Sequence, residues 1–137
     1  MIIGGQAQSG MCLNNCEQLD VLDQRFSGFA GLNVARYLAG AMAFSHKPGS
    51  SSSLYVFGGY NHGYLDSIEM HHMLNDSSFA IIQIQNSQLI QGCGFLTYQC
   101  PDGVLIFGGK QNKIILYDPK DTSSFVELAD VRLKDAE

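Results

Sequence analysis

A repeat with a period of about 50 residues constrains this fold more than any other feature of the sequence. Residues 54–59 (LYVFGG) match residues 104–109 (VLIFGG) at an offset of 50 positions. Residues 2–5 (IIGG) are a shortened copy, 54 positions before the first of these. Self-similarity at a fixed period of this size is typical of solenoids and propellers, in which each repeat is one supersecondary unit.

A second marker repeats with the same period. It is an aromatic residue, then an apolar residue three positions later and a polar residue four positions further on. The copies are Phe29-x-x-Leu32-x-x-x-Arg36, Phe79-x-x-Ile82-x-x-x-Asn86 and Phe125-x-x-Leu128-x-x-x-Arg132. A weaker third marker aligns residues 116–118 (LYD) with residues 21–23 (VLD) and 70–72 (MHH). Two well-matched markers that share one period indicate a repeat through the whole chain.

The markers have the properties of buried strands. Short runs of apolar, β-branched and aromatic residues that end in Gly-Gly favour strands over helices. Glycine tolerates positive φ and a close backbone approach, so we expect Gly58, Gly59, Gly108 and Gly109 to end equivalent strands. We expect Phe29, Phe79 and Phe125 to fill the space between neighbouring sheets. Turn-rich segments between the markers leave room for four short strands in each period, which predicts an all-β fold.

With these markers the chain resembles the Kelch-repeat β-propeller family over nearly its full length. Members of the family have an apolar strand that ends in a Gly pair, followed by a Tyr-Asp step, an aromatic residue and an Arg. The matching residues here are Gly58 and Gly59, Gly108 and Gly109, Tyr117 and Asp118, Phe125, and Arg132. The sequence departs from the family in having no Trp, and the middle repeat has His71-His72 and Asn86 in place of the Tyr-Asp step and the Arg. The resemblance implies about three four-stranded antiparallel blades, over residues 1–35, 36–85 and 86–131.

The expected blade count is too small for a closed ring. In the family order, the sequence supplies roughly eleven strands in nearly three blades, whereas closed propellers have about 4 to 8 blades. Three sources of further blades are open: a longer chain of which this is a fragment, a second copy, or another subunit. Uncovered apolar blade faces predict that the isolated chain is not a stable monomer.

Composition and cysteine spacing argue against several classes of function. The 13 acidic residues outnumber the 8 basic ones, and no basic cluster exists that would bind nucleic acid. Residues 26–44 are the most apolar stretch, but Asn33 and Arg36 interrupt it, so we expect no membrane span. Without a secretory signal, Cys12, Cys16, Cys93 and Cys100 are expected to be free thiols in the cytoplasm. Their spacing, and the alternation of His71 and His72 along a strand, predict no metal site and no cofactor.

Two sets of residues are candidates for binding a protein partner. Tyr60, Asn61, His62 and Tyr64 follow the second Gly pair in a predicted loop, where aromatic and amide side chains suit protein recognition, although an ordinary connecting loop explains them as well. The resemblance places Arg36 and Arg132 at the entrance to an innermost strand. There they bond either to the neighbouring blade or to an acidic partner peptide. The aspartate pairs, such as Asp20 with Asp23, are interpreted as turn residues.

The leading interpretation of function is a non-catalytic scaffold for protein–protein interaction. The rival is an enzyme, because galactose-oxidase-like proteins also use Kelch blades and hold copper with Tyr, His and Cys side chains. No spaced set of such ligands is identifiable in this sequence. A gene fragment without independent function is the third possibility.

Overall fold

The computed structural model describes residues 1–45, 51–101, 103–111, 113–118 and 124–128. These residues form eleven strands and one short 3₁₀ turn, so the fold is all-β as expected. The strands make three separate antiparallel sheets, and each sheet lies within one of the three predicted repeat units. In this part of the chain, no helix is long and apolar enough to cross a membrane.

Each sheet is a meander in which consecutive strands pair. Sheet 1 has three strands, and sheets 2 and 3 have four each. Sheet 1 contains β1 (Ile2–Gln6), β2 (Cys12–Asp20) and β3 (Arg25–Phe29); sheet 2 contains β4 (Gly40–Phe44), β5 (Ser53–Phe57), β6 (Ile68–His72) and β7 (Ala80–Ile82); sheet 3 contains β8 (Leu96–Cys100), β9 (Gly103–Gly108), β10 (Lys113–Tyr117) and β11 (Phe125–Glu127). The 3₁₀ turn, Ser87–Ile90, connects sheets 2 and 3.

Sheet 2 packs between the other two sheets. Successive residues of a strand point to opposite faces, and β5 is buried along its whole length. Leu54 and Val56 pack in a cluster with Cys16 of sheet 1. Tyr55 and Phe57 pack in a second cluster that contains strands of sheet 3. The described residues therefore form two internal interfaces, one on each face of sheet 2.

The Gly pairs adopt the backbone shape expected of them. The φ angles are 59° at Gly58, 91° at Gly59, 111° at Gly108 and 73° at Gly109. At Gly59, a Cβ atom would also lie 2.9 Å from the carbonyl oxygen of Tyr37. The pair is therefore required both by backbone conformation and by the close approach of the next segment of chain.

The burial of Phe79 and Phe125 is confirmed, and both rings lie at internal interfaces. Tyr117 lies opposite Phe125 on β11, and the register of β6 with β7 places Phe79 opposite His71. The ring centroids are 5.2 Å apart in the first pair and 5.1 Å in the second. These two phenylalanines are structural equivalents.

The alignment of Phe29 with this pair is wrong by three residues. The strand pair Ile2↔Glu17 in sheet 1 is equivalent to the pair Val56↔Glu69 in sheet 2. Leu19, two residues after Glu17, therefore corresponds to His71, and its partner on β3 is Phe26. Phe26 is therefore the counterpart of Phe79, and Phe29 instead lies opposite Cys16, half-buried between sheets 1 and 2.

Hydrogen bonds between sheets support the corrected register. Asn33 lies seven positions after Phe26, and Asn86 lies seven positions after Phe79. The amide of Asn33 donates to the carbonyl oxygen of Phe79 at 2.8 Å, and the amide of Asn86 donates to that of Phe125 at 3.2 Å. Each asparagine thus makes the same contact with the following sheet.

The third sequence marker is also wrong in sheet 1. Residues 21–23 lie in the turn between β2 and β3 and are exposed. The Asp20 carboxylate accepts hydrogen bonds from the backbone N–H groups of Leu22 at 2.8 Å and Asp23 at 3.0 Å. Asp20 is therefore a turn residue, as interpreted from the sequence. Tyr117 is buried at the end of β10, and Asp118 follows it, half-buried.

Candidate functional site

The turns that follow the Gly pairs meet at one end of the sheets. The N–H of Gly5 donates to the carbonyl oxygen of Arg36 at 2.9 Å. The N–H of Gly59 donates to the carbonyl oxygen of Gly92 at 2.6 Å. The N–H of Lys110 donates to the carbonyl oxygen of Gln91 at 3.0 Å. The first two Gly pairs are therefore tied to the connection that leads into the following sheet. Lys110, which follows the third pair, is tied to the connection between sheets 2 and 3.

A cluster of three tyrosines occupies this end. Tyr60 lies at its centre, with ring centroids 5.6 Å from Tyr37 and 5.5 Å from Tyr64 in edge-to-face arrangements. Backbone bridges join Tyr60 to both neighbours. Tyr37 and Tyr60 are half-buried and Tyr64 is exposed. We call these three residues the tyrosine cluster; Tyr37 was not singled out from the sequence.

Neighbouring segments hold the loop of the tyrosine cluster on both sides. The Cys12 thiol of sheet 1 lies 3.8 Å from the carbonyl oxygen of Tyr60, and the Gln91 amide donates to that of Tyr64 at 3.4 Å. Within the loop, the N–H of Asn61 donates to the carbonyl oxygen of Gly63 at 3.0 Å. His62 is exposed at a positive φ of 57°. The four predicted loop residues are thus together, on a loop fixed by backbone hydrogen bonds.

Arg36 does not lie with the tyrosine cluster at the surface. Its side chain is 0% exposed, so the expectation that it contacts a partner peptide is wrong, and the alternative of a bond to the neighbouring sheet is correct. It donates to the carbonyl oxygens of Gly58 at 2.9 Å and Ser67 at 3.1 Å. It also donates to Glu69 Oε1 at 2.8 Å and to the Ser67 hydroxyl at 3.0 Å. Burial lowers the pKa of Arg36, and the Glu69 carboxylate opposes that shift.

Glu69 is the residue that sequence reasoning missed. Its carboxylate is fully buried and accepts four hydrogen bonds across the interface between sheets 1 and 2. Besides Arg36, the donors are the N–H and amide of Asn33, at 2.6 Å and 2.9 Å, and the N–H of Val34, at 3.0 Å. The signal was an acidic residue between Ile68 and Met70 in a predicted strand, because a buried carboxylate requires such partners.

The two histidines of β6 point to opposite faces, as expected. His71 is buried between the rings of Phe29 and Phe79, at centroid distances of 4.8 Å and 5.1 Å. His72 is half-buried, with Nδ1 2.7 Å from the hydroxyl of Ser53. Neither the pair nor any other group of three His, Cys, Asp or Glu side chains in the described ranges is arranged to hold a metal ion.

A small cavity lies between sheets 2 and 3, away from the tyrosine cluster. Its volume is about 130 Å³, and Tyr55, Met70, Ile82 and Tyr117 are among its lining residues. Burial raises the pKa of both tyrosine hydroxyls above the ordinary value. This volume is smaller than the roughly 300–1,000 Å³ that is typical of pockets for drug-sized ligands.

The four cysteines and Arg132 are the remaining candidates from the sequence. All four cysteines are free, with Cys16 buried and the other three half-buried. Burial raises the pKa of the Cys16 thiol. Arg132, the second arginine proposed to bind a partner, lies outside the described residues.

No model of a protein family matches the sequence, and no curated protein matches it significantly.

Proposed function

We propose that this chain forms blades of a Kelch-type β-propeller and serves as a non-catalytic scaffold that binds a protein partner. Three observations support the propeller: the 50-residue repeat, the Gly pairs with positive φ, and the face-to-face packing of consecutive antiparallel meanders. Four free thiols suit a reducing compartment, so the proposal places the protein in the cytoplasm.

The tyrosine cluster is the observation that carries the binding proposal. Tyrosine offers a large apolar ring and a polar tip with few rotatable bonds, so it gives contact area at a low cost in conformational entropy. The edge-to-face contacts and the backbone bridges around Tyr60 hold these rings in place before a partner arrives. Asn61 and His62 add amide and imidazole groups beside the rings. Such a surface is suited to a peptide segment with apolar and hydrogen-bonding groups.

Selection of peptides from a display library tests this proposal. Peptides selected on the immobilised chain are expected to lose about tenfold or more in affinity with Tyr60→Ala or Tyr64→Ala, because buried aromatic anchors carry most of the energy of an interface. Leu74→Ala is the matched control, since Leu74 is exposed in a turn outside the tyrosine cluster. Peptides whose binding is unchanged in both tyrosine variants would contradict this site.

Metal analysis separates the scaffold from the copper-enzyme alternative. Purified protein supplied with copper is expected to retain no stoichiometric metal after dialysis. One bound copper ion per chain, lost on substitution of a tyrosine or histidine, would contradict the scaffold and favour a galactose-oxidase-like site.

A further inference from the structure

The outer face of sheet 3 is an apolar surface on which no described residue packs. One row across all four strands consists of Tyr98, Leu105, Leu116 and Val126. A second row contains Leu96, Phe107 and Ile114. Tyr98 is 63% exposed, Leu96 69% and Val126 51%. Repeat units bury such faces against a neighbouring unit, and a unit at the end of an array needs a polar face instead.

The strand register shows which residues of sheet 2 correspond to this face. Leu105 and Phe107 correspond to Tyr55 and Phe57 of sheet 2, and Tyr98 corresponds to Met42. In sheet 2 these residues pack on sheet 3 and form the second internal interface. The outer face of sheet 3 therefore repeats the face by which one sheet covers the next.

The outer face of sheet 1 repeats the opposite, receiving face. Ile2 and Glu17 pair as Val56 and Glu69 do, and the pair Leu19↔Phe26 corresponds to His71 and Phe79. In sheet 2, the equivalents of these residues receive sheet 1. In sheet 1 they are uncovered, with Phe26 55% exposed and Ile2 50%.

The receiving face of sheet 1 also repeats the carboxylate of sheet 2. Glu69 accepts hydrogen bonds from Asn33, and Glu17 occupies the position of Glu69 in sheet 1. Glu17 is exposed on sheet 1, so a second copy that packs on this face must bring hydrogen-bond donors to its carboxylate.

We propose that two or more copies of this chain associate head to tail, with the outer face of sheet 3 packed on the outer face of sheet 1 of the next copy. This contact repeats the geometry of the internal interfaces. It is heterologous, so it closes into a ring if the rotation per copy allows closure and otherwise extends as a filament. The association does not involve the tyrosine cluster and is independent of the proposed partner binding.

A complementation experiment tests the proposal on the full 137-residue chain. Tyr98→Glu places a charge on the sheet 3 face, and Phe26→Glu places one on the sheet 1 face; both side chains are already exposed, so the fold tolerates the change. Light scattering after size exclusion should show self-association of the unchanged chain. Each variant alone should weaken it by on the order of 100-fold, because an apolar contact becomes an unpaired buried charge.

An equimolar mixture of the two variants is the decisive sample. The Tyr98→Glu chain retains an intact sheet 1 face, and the Phe26→Glu chain retains an intact sheet 3 face. The mixture should therefore form a dimer of one chain of each kind, visible by native mass spectrometry. Leu74→Glu, at a residue 79% exposed outside both faces, should associate like the unchanged chain.

Three results would overturn the proposal. If the unchanged chain is a monomer, the two faces do not bind each other and must be covered by sheets of another polypeptide. Association of Phe26→Glu at full strength would indicate a symmetric contact between two sheet 3 faces. Failure of the mixture to restore a dimer, with both variants folded by circular dichroism, would show that the two faces do not meet.

Discussion

Removal of either member of the buried Arg36–Glu69 pair is expected to destabilise the fold by about 3–5 kcal/mol, because the remaining charge is left buried without its partner. Arg36→Ala withdraws donors from four acceptors on β6 and on the residues that flank β5 and β6. Glu69→Ala leaves the guanidinium buried and also removes the acceptor of the N–H groups of Asn33 and Val34. Against a typical total of about 5–15 kcal/mol, either loss removes much of the stability.

The second internal interface suggests how to remove the pair at a smaller cost. Ile115 occupies the position of Glu69 in sheet 3, and Ile90 of the 3₁₀ turn is buried in the same cluster. The double variant Arg36→Leu with Glu69→Ile copies that apolar solution. We expect it to cost about 2–3 kcal/mol less than the sum of Arg36→Leu and Glu69→Ile made singly, since neither charge remains. The donors of Asn33 and Val34 stay without an acceptor, so the double variant is still less stable than the unchanged protein.

Urea unfolding followed by far-UV circular dichroism measures these differences, since the chain has no Trp to report by fluorescence. All variants must be compared at one protein concentration, because association raises apparent stability. The exposed pair Lys113–Glu127 is the matched control: its distance is 2.7 Å, its side chains are 32% and 43% exposed, and Lys113→Ala should cost less than about 1 kcal/mol. Single changes at Arg36 and Glu69 that cost as little as the control, or that add without coupling, would refute the reasoning.

Three further predictions concern the remaining structural elements. Gly59→Ala should lower the urea midpoint, because it combines a positive φ with a close approach to the backbone, whereas Gly63→Ala, with no atom within 4 Å, should not; equal midpoints would contradict this role for Gly59. Phe125→Ala should cost about 3–5 kcal/mol in the same assay, against less than about 0.5 for Leu74→Ala, and a small loss at Phe125 would contradict its tight packing. Because Cys16 is buried and its thiol pKa is raised, it should be the slowest of the four cysteines to react with maleimide at neutral pH, as followed by peptide mass spectrometry; labelling as fast as that of the other three would contradict its placement.

The strands and their ends followed from the sequence because they depend on local chemistry. A short apolar run that ends in a Gly pair favours a buried strand, and residues 54–59 and 104–109 both contain one. The buried positions of Phe79 and Phe125 followed from the same spacing. The tyrosine loop was predicted from its position after a Gly pair, although the contribution of Tyr37 depends on a contact between segments that spacing does not reveal.

The register of sheet 1 could not be predicted in this way. Phe26 and Phe29 both stand at plausible spacings, and only the strand pairing shows that Phe26 matches Phe79. The error was reinforced by Arg36, which lies seven positions after Phe29 as Asn86 lies seven after Phe79. Glu69 was missed for a related reason: its donors come from a segment more than thirty residues earlier in the chain, and no local pattern connects them.

The two internal interfaces use different chemistry at the same structural position, and this difference makes the order of the sheets specific. At the first interface, Arg36 and the N–H groups beside Asn33 meet a carboxylate; at the second, Ile90 and Ile115 meet in an apolar cluster. If sheet 3 took the place of sheet 2 against sheet 1, with its Ile115 face inward, Arg36 would be buried against Ile115. No carboxylate would then accept the hydrogen bonds of Arg36, at a cost of several kcal/mol. If sheet 2 received the segment around Ile90, Glu69 would lose its donors. Each sheet therefore accepts its own neighbour, and Glu17 on the free face of sheet 1 favours a neighbour that brings a cation over one that brings an isoleucine.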